Sequence, residues 1–315
     1  MTTILKLLLL PFTKADATLH QALHLLRHVR RLRKQHGTVH FVAEGNTAVS
    51  LPPVSYAGLV FGSHRRLVEQ CANYASRPSA ESLLRRTVYA LFETGCIDPR
   101  RSIIDIGCWI GDNAVVWAKM LRGDAAVYAV DPSPGNLDFG RSVAALNAVR
   151  NIKWIQAVCA DQPNLNLRLS GDLDHAQFND HAQARSQTFV TTTLDEVVPR
   201  SSHGEISLLH VDVEGFEERV LGGATSIIAA SKPVIVFEQH ISKEDPRRIA
   251  DKLKGCGYRV FMINEVLPGC DLDCRNFIAF HRDGLPPSPG LPQHSNGRAD
   301  GIWYAALGPA MLELE

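Results

Sequence analysis

The sequence is short of the features that usually settle a protein's class. It has no run of about 18 apolar residues, so no membrane-spanning helix is expected. It has no excess charge of either sign, since 33 Lys and Arg balance 33 Asp and Glu. That balance argues against a nucleic-acid binder working through bulk electrostatics. It has no C-x2-C pair and no Gly-x-Gly-x-x-Gly, the phosphate-cradling signature of dinucleotide enzymes. Its seven cysteines are an odd number, which suits reduced thiols in a cytoplasmic protein better than a disulfide framework. Cys270 and Cys274 form a C-x3-C spacing that would suit zinc, but no matching second pair is visible. The apolar opening, residues 1–12, is short and interrupted by Pro11, and reads as a packed segment rather than a signal peptide.

What is present is length and hydrophobicity: 315 residues, 45% of them hydrophobic, enough for one large α/β core with a smaller appendage. The chain is organised around residues 102–121. Ile103, Ile104 and Ile106 make the β-branched run of a strand buried on both faces. Gly107 and Gly111 punctuate a turn, and Ala114, Val115, Ala118 and Leu121 recur at helical spacing. A second apolar strand over 126–130 then ends in Asp131, 24 residues after Gly107.

That order carries chemistry. Glycine lets a ligand approach the backbone without a Cβ in the way, and an acid at the end of the second strand can accept hydrogen bonds from a ribose diol. A nucleoside is the natural ligand. A pyrophosphate would be repelled by Asp105 and Asp112, whereas the cationic sulfonium and ammonium of S-adenosyl-L-methionine tolerate them. The residues expected to hold this cofactor are Asp105, Gly107, Cys108, Trp109, Gly111, Asp131, Pro132, Ser133 and Asp161, the last after a third strand over 152–158.

The remaining elements flank this unit. Residues 17–33 read as a helix with a basic end, 38–43 and 48–51 as a hairpin, and 64–76 and 80–94 as helices, the last stopped by Gly95. Residues 132–135 read as a turn before a helix over 136–146. Residues 162–187 are polar and read as a loop or hairpin insertion. Thr193 and Glu196 match a capping box. Strands are expected over 207–213, 233–238, 258–263 and 277–281. The Pro-, Gly- and Ser-rich stretch 283–301 reads as a linker or tail, and 302–307 is apolar again. The expected division is a mostly helical extension over 1–99 that shapes the substrate pocket, a cofactor-binding domain over 100–283 and a tail over 284–315.

Parallel α/β sheets bind ligands beyond the carboxyl ends of their strands. Asp212 and Glu214 stand at one such end, two apart, and point to one face if the strand continues. Glu238 and His240 stand at the next. These are the candidate catalytic groups. Such a cluster can deprotonate a hydroxyl, or bind a divalent metal that lowers the hydroxyl pKa. The bland alternative is that Asp212 and Glu214 cap the following helix and pair with Arg219 or a nearby Lys.

Taken together, Ile103-Ile104-Asp105-Ile106-Gly107, Gly111, Val130-Asp131-Pro132-Ser133-Pro134, Thr193-Leu194-Asp195-Glu196, Val211-Asp212-Val213-Glu214-Gly215-Phe216-Glu217, Val220-Leu221-Gly222-Gly223-Ala224 and Val236-Phe237-Glu238 resemble the FkbM family of S-adenosylmethionine-dependent methyltransferases. The resemblance covers about residues 100–281. It implies a Rossmann-like, doubly wound, mostly parallel seven-stranded sheet of the class I methyltransferase type. It also implies O-methylation of a hydroxyl on a sugar, glycan or secondary metabolite. Two positions depart from the family's habit: Cys108-Trp109 stand where it often has Ala-Asn, and His210 where it often has Lys. Two other classes compete with this one: a non-catalytic nucleoside-binding regulatory module, and a dehydrogenase, which the missing glycine signature disfavours. The partners expected are a small molecule or glycan, with no nucleic acid.

Overall fold

The computed structural model describes residues 39–42, 48–51, 54–56, 59–61, 82–170, 177–178, 187–240, 245, 247–263, 274–284 and 311–314. The expectations for 1–33, 64–76, 285–301 and 302–307, and for Cys270, lie outside them. The chain divides into two compact units, residues 1–80 with 298–301 and residues 81–297 with 302–315.

In the first unit the described residues form two antiparallel hairpins. Strands β1 (Val39–Val42) and β2 (Ala48–Leu51) pair with Val42 opposite Ala48, as the turn-bounded alternation predicts. A second hairpin, β3 (Val54–Tyr56) and β4 (Leu59–Phe61), follows Pro52-Pro53, where the sequence pattern marks only an end.

The second unit opens on the helix Ser82–Glu93, whose Leu84, Val88 and Leu91 are buried at helical spacing. Gly95, in the left-handed region at φ 77°, follows its end. Then come β5 (Ser102–Ile106), the helix Asp112–Ala118, β6 (Val127–Asp131), the helix Pro134–Leu146 and β7 (Ile152–Gln156). Of the stretch expected to be a turn, 132–135, Pro134 and Gly135 instead open that helix, with Ser133 as its cap. Ser133 Oγ accepts the Asn136 N–H at 3.2 Å and Pro134 takes the first helical position, where its missing N–H costs nothing.

A smaller sheet holds β8 (Val158–Cys159), β9 (Asn166–Ser170), β10 (Gln177–Phe178) and β11 (Gln187–Thr192) in the order β10-β9-β11-β8. The polar insertion is thus partly built as strands. Thr193 and Glu196 close the expected capping box, each side chain taking the other's backbone N–H at 3.2–3.3 Å. The chain continues through β12 (Ile206–Val211), the helices Glu217–Gly222 and Thr225–Ser231, β13 (Val234–His240), the helix Arg247–Gly255, β14 (Tyr258–Ile263), β15 (Cys274–His281) and β16 (Met311–Glu313). The helix Thr225–Ser231 is an element that the sequence pattern does not announce.

The main sheet runs β16-β14-β15-β13-β12-β5-β6-β7. Strands β7, β6, β5, β12 and β13 pair in parallel, and β15 runs antiparallel between β13 and β14. This is the expected Rossmann-like, mostly parallel α/β arrangement, with β16 added to the edge beyond β14. Strand β12 is buried along its whole length, as are Ile103, Ile104 and Ile106 of β5, which accounts for apolar runs in place of alternation. The order of connections reverses between β5 and β12, and at such a switch point the loops diverge and leave a crevice. No described helix is long and apolar enough to cross a membrane.

Candidate active site

Two loops meet at the switch point. The first follows β5. A Cβ added to Gly107 would lie 1.6 Å from the Asp212 carbonyl oxygen, so only glycine lets the loop after β5 pass the loop after β12. Trp109 is held at φ 45°, and Gly111, at φ 76°, caps the helix that follows. A side chain at Gly111 would strike the Trp154 ring, 2.5 Å away. The loop's conformation is tied to the end of β6: the Trp109 N–H donates to Asp131 Oδ2 at 3.0 Å, while Ser133 N–H and Asn136 Nδ2 donate to Oδ1 at 2.8 and 3.1 Å. Burial pushes the Asp131 carboxyl up to about 7 despite these three donors, which pull the other way, and Asp105 nearby raises it further.

Beneath the loop, Asp105 and His210 pair across β5 and β12, Oδ1 to Nδ1, at 2.7 Å, both nearly inaccessible. His210 also meets the edge of Trp117, with centroids 5.1 Å apart. Asp105 Oδ2 is buried without a hydrogen-bond partner. Burial, with Asp131, Asp105 and Asp112 around it, holds the Cys108 thiol well above its usual range. Asp112 is held by Arg85, from the helix Ser82–Glu93, at 3.0 Å, and Arg85 Nε also donates to Asn113. Pro132 is half-buried beside the Asp131 turn.

The second loop follows β12, and here the expectation of a continuing strand fails. β12 ends at Val211; Glu214 and Gly215 turn into positive φ, at 56° and 99°. The cause is Glu217, 2% exposed, whose Oε1 accepts the N–H of Val213 at 3.0 Å and of Gly215 at 3.1 Å. Those amides are thereby taken from any ladder. Alternation therefore does not bring Asp212 and Glu214 to one face, and neither forms the helix cap; Glu217 organises the turn. Its Oε2 is buried without a partner, and burial pushes its carboxyl up to about 8, with Asp212 adding to the rise.

The turn delivers Glu214 to β13: its Oε2 lies 3.3 Å from His240 Nε2. Glu238 and His240 share a face of β13, and the ligand atoms of Glu238, His240 and Cys274 of β15 lie within 4.8 Å of one another. Cys274 is disulfide-bonded, so the reading of wholly reduced cysteines fails there. Cys96, Cys108, Cys159 and Cys256 are free thiols. Asp161 is exposed and bound to Arg219 Nε at 2.7 Å, which corrects the expectation that Arg219 serves Asp212 or Glu214. The glycines of Leu221-Gly222-Gly223-Ala224 have a packing reason. A Cβ at Gly223 would lie 2.0 Å from the Ala160 carbonyl, and one at Gly222 would lie 3.0 Å from Asp161 Cβ.

The methyltransferase FkbM domain model matches residues 105–260, a span that starts at Asp105 and takes in both loops. Residues 105–260 are an FkbM methyltransferase domain. Among solved structures, the chain is similar to a methyltransferase FkbM from Methylobacillus flagellatus, at 14% identity and TM-score 0.44, over 68% of this chain and 54% of that one. The chain thus spans about half the length of that protein. It is also similar to a SAM-dependent methyltransferase from Aquifex aeolicus, at 12% identity and TM-score 0.37, over 61% and 88% of the two chains. A third is a methyltransferase from Streptococcus mutans in complex with SAH, at 11% identity and TM-score 0.36, over 61% and 95%. A search of curated proteins finds no match.

Within the FkbM domain, the structure gathers Gly107, Cys108, Trp109, Gly111, Asp131 and Ser133 into one connected loop system and brings Glu214 to His240. Sequence reasoning misses Glu217, Arg85 and Cys274 as partners in the rim. Glu217 has a signal: it is a carboxylate opening a helix directly after a Glu-Gly turn. Cys274 has its C-x3-C spacing, which says nothing of Glu238 or His240, and Arg85 has none, because it reaches Asp112 across the fold.

Proposed function

We propose that the chain is an S-adenosyl-L-methionine-dependent O-methyltransferase acting on a hydroxyl of a sugar, glycan or secondary metabolite. The observation that carries this reading is the Asp131 carboxylate at the switch point. A carboxylate offers about four acceptor positions, and the chain fills three of them, two on Oδ1 and one on Oδ2. The position left on Oδ2 suits one ribose hydroxyl. Asp105 Oδ2, buried under the loop without a partner, suits the cationic character of the same cofactor, and the pair of acids disfavours a pyrophosphate.

When bound, the cofactor supplies an electrophilic methyl group. The chain's own residues position and deprotonate. Gly107 lets the loop after β5 pass against the loop after β12, and Trp109, half-buried, has its backbone fixed by Asp131. Across the crevice, Glu214 orients the His240 ring through Nε2. In this reading the acceptor hydroxyl gives its proton to the Asp212, Glu214, Glu238 and His240 group, and alignment of the hydroxyl supplies much of the rate. We place the protein in the cytoplasm, on its four described free thiols; there the Cys274 disulfide belongs to the transient kind, since reducing compartments keep few permanent ones.

The test is calorimetric binding of S-adenosylmethionine, S-adenosylhomocysteine and NAD, repeated with Asp131→Ala and Asp131→Asn. Binding of S-adenosylhomocysteine that both variants weaken is expected. Binding of NAD alone, or of none of the three, would remove the methyltransferase reading. Asp212→Asn then separates enzyme from binding module: turnover should fall while cofactor binding stays.

A further inference from the structure

We propose that Glu238, His240 and Cys274 form a divalent transition-metal site, zinc by the character of its donors, that is complete only when the Cys274 disulfide is reduced. The scaffold is two adjacent strands. His240 and Cys274 are direct partners in the antiparallel register of β13 and β15, and Glu238, two residues before His240, lies opposite Asn276. Direct cross-strand partners and residues two apart on one strand share a face of a sheet, so backbone geometry alone sets three ligands around one point. Their donor atoms lie within 4.8 Å of one another. Zinc bonds of about 2.0–2.3 Å in a tetrahedron place donors about 3.5 Å apart, so side-chain rotation of about 1 Å closes the set.

The donor chemistry selects the metal. One thiolate, one imidazole and one carboxylate are borderline ligands that favour zinc over magnesium or calcium, which take oxygen almost exclusively. Three protein ligands leave a fourth position open, the pattern of sites that bind water or substrate oxygen. His240 is 5% exposed and its ring is already set by Glu214 at 3.3 Å, the carboxylate–histidine support that metal-bound imidazoles commonly have.

The gate is the disulfide. In the structure Cys274 sulfur is bonded to sulfur and offers no thiolate. A dithiol reductant breaks that S–S bond: two electrons pass from the reductant, which becomes a disulfide, and both protein sulfurs take up protons. Metal binding then forms the Cys274 S–metal bond and releases the thiol proton to solvent. The binding step stands apart from the methyltransferase reading; only the consequence rests on it, namely that the metal would sit among the groups proposed to take the acceptor's proton.

The test uses the full chain and cobalt(II) and zinc(II) as probes, anaerobically, with the disulfide intact or reduced. Reduced protein should bind one equivalent, with a thiolate-to-cobalt charge-transfer band that zinc abolishes; oxidised protein should show no band. Reduced Cys274→Ser should lose the band and bind zinc at least about tenfold more weakly, with circular dichroism reporting the fold. If that variant does not fold, reduced Glu238→Gln should keep the band but bind at least about tenfold more weakly. A band that survives Cys274→Ser, equal binding by oxidised and reduced protein, unchanged affinity in Glu238→Gln, or no binding by reduced protein overturns the site. Calorimetry with S-adenosylhomocysteine on the same samples fails separately: its loss would end the methyltransferase reading and leave the metal site standing.

Discussion

The two loops at the switch point are built on one plan. Each follows a central parallel strand, each carries a non-glycine residue at positive φ (Trp109 and Glu214), and each is folded around a buried carboxylate that accepts its backbone N–H groups. Strained backbone of this kind persists only where its surroundings over-determine it. The difference lies in how the carboxylates are used. Asp131 receives donors on both oxygens, from two segments beyond its own strand end; Glu217 receives them on Oε1 alone, and its Oε2 is buried without a partner. The first loop is fastened and has one acceptor position to offer. The second is held from one side and directs Glu214 towards β13. Under the proposed function the first loop is the cofactor cradle and the second the more adjustable proton-handling loop, a division that can be probed by breaking each side in turn.

The largest effect is expected where the loops touch. Gly107→Ala sets a methyl group 1.6 Å from the Asp212 carbonyl at a backbone φ of +75°. It should cost about 3 kcal/mol or more, or prevent folding. Gly204→Ala, with nothing within 4 Å, should stay within about 0.5 kcal/mol. Denaturant unfolding of the pair compares them.

Next is pH. Both carboxyls keep their proton to higher pH in the folded chain than in the unfolded one. Asp131 rises from 3.8 to about 7 and Glu217 from 4.5 to about 8. The folded state therefore binds more protons across those windows. Stability is greatest below them and falls as pH rises through them, by at most about 1.4 kcal/mol for each tenfold gain in proton affinity on folding. Glu217→Gln should flatten the fall up to about pH 8 and Asp131→Asn the part ending near 7. If Glu217→Gln leaves the slope unchanged, ionisation of the one-sided carboxylate is not what destabilises the second loop. A matching signature should appear in binding: since Asp131 accepts best when ionised, S-adenosylhomocysteine affinity should rise as pH increases through about 7.

The two ion pairs outside the loops sharpen the contrast further. Arg85 and Asp112 are 14% and 12% exposed, so Arg85→Ala leaves a largely buried carboxylate and should cost about 2 kcal/mol. Arg219 and Asp161 are 35% and 40% exposed, and Arg219→Ala should cost under about 1 kcal/mol. Thermal unfolding of both variants would show the first loop losing more; equal losses would mean that its anchoring is no stronger than the second's.

How far these features can be read from the chain alone follows from where their causes lie. The first loop is legible because its determinants are near in sequence: strand, glycines, helix and acid succeed one another within about thirty residues, and a βαβ unit has one favoured hand. The capping box at Thr193 and the hairpin over β1 and β2 are legible for the same reason. The second loop is not, because strand alternation carries the pattern two residues too far. The side chain that ends it, Glu217, lies on the following helix and acts backwards. Local reasoning does not reach the pair of Asp161 with Arg219, because the two are 58 positions apart.

What the sequence determined by itself is the kind of unit: a parallel α/β sheet with a glycine loop, a spaced acid and polar groups at strand ends, since these rest on local pattern and hydrophobic period. What only the tertiary structure decided is which of those groups meet. Asp105 faces His210 and His240 faces Cys274 because β12 lies beside β5 and β15 pairs with β13 in one register. Register is a property of the assembled sheet: a slip of one residue would turn every one of these side chains to the opposite face.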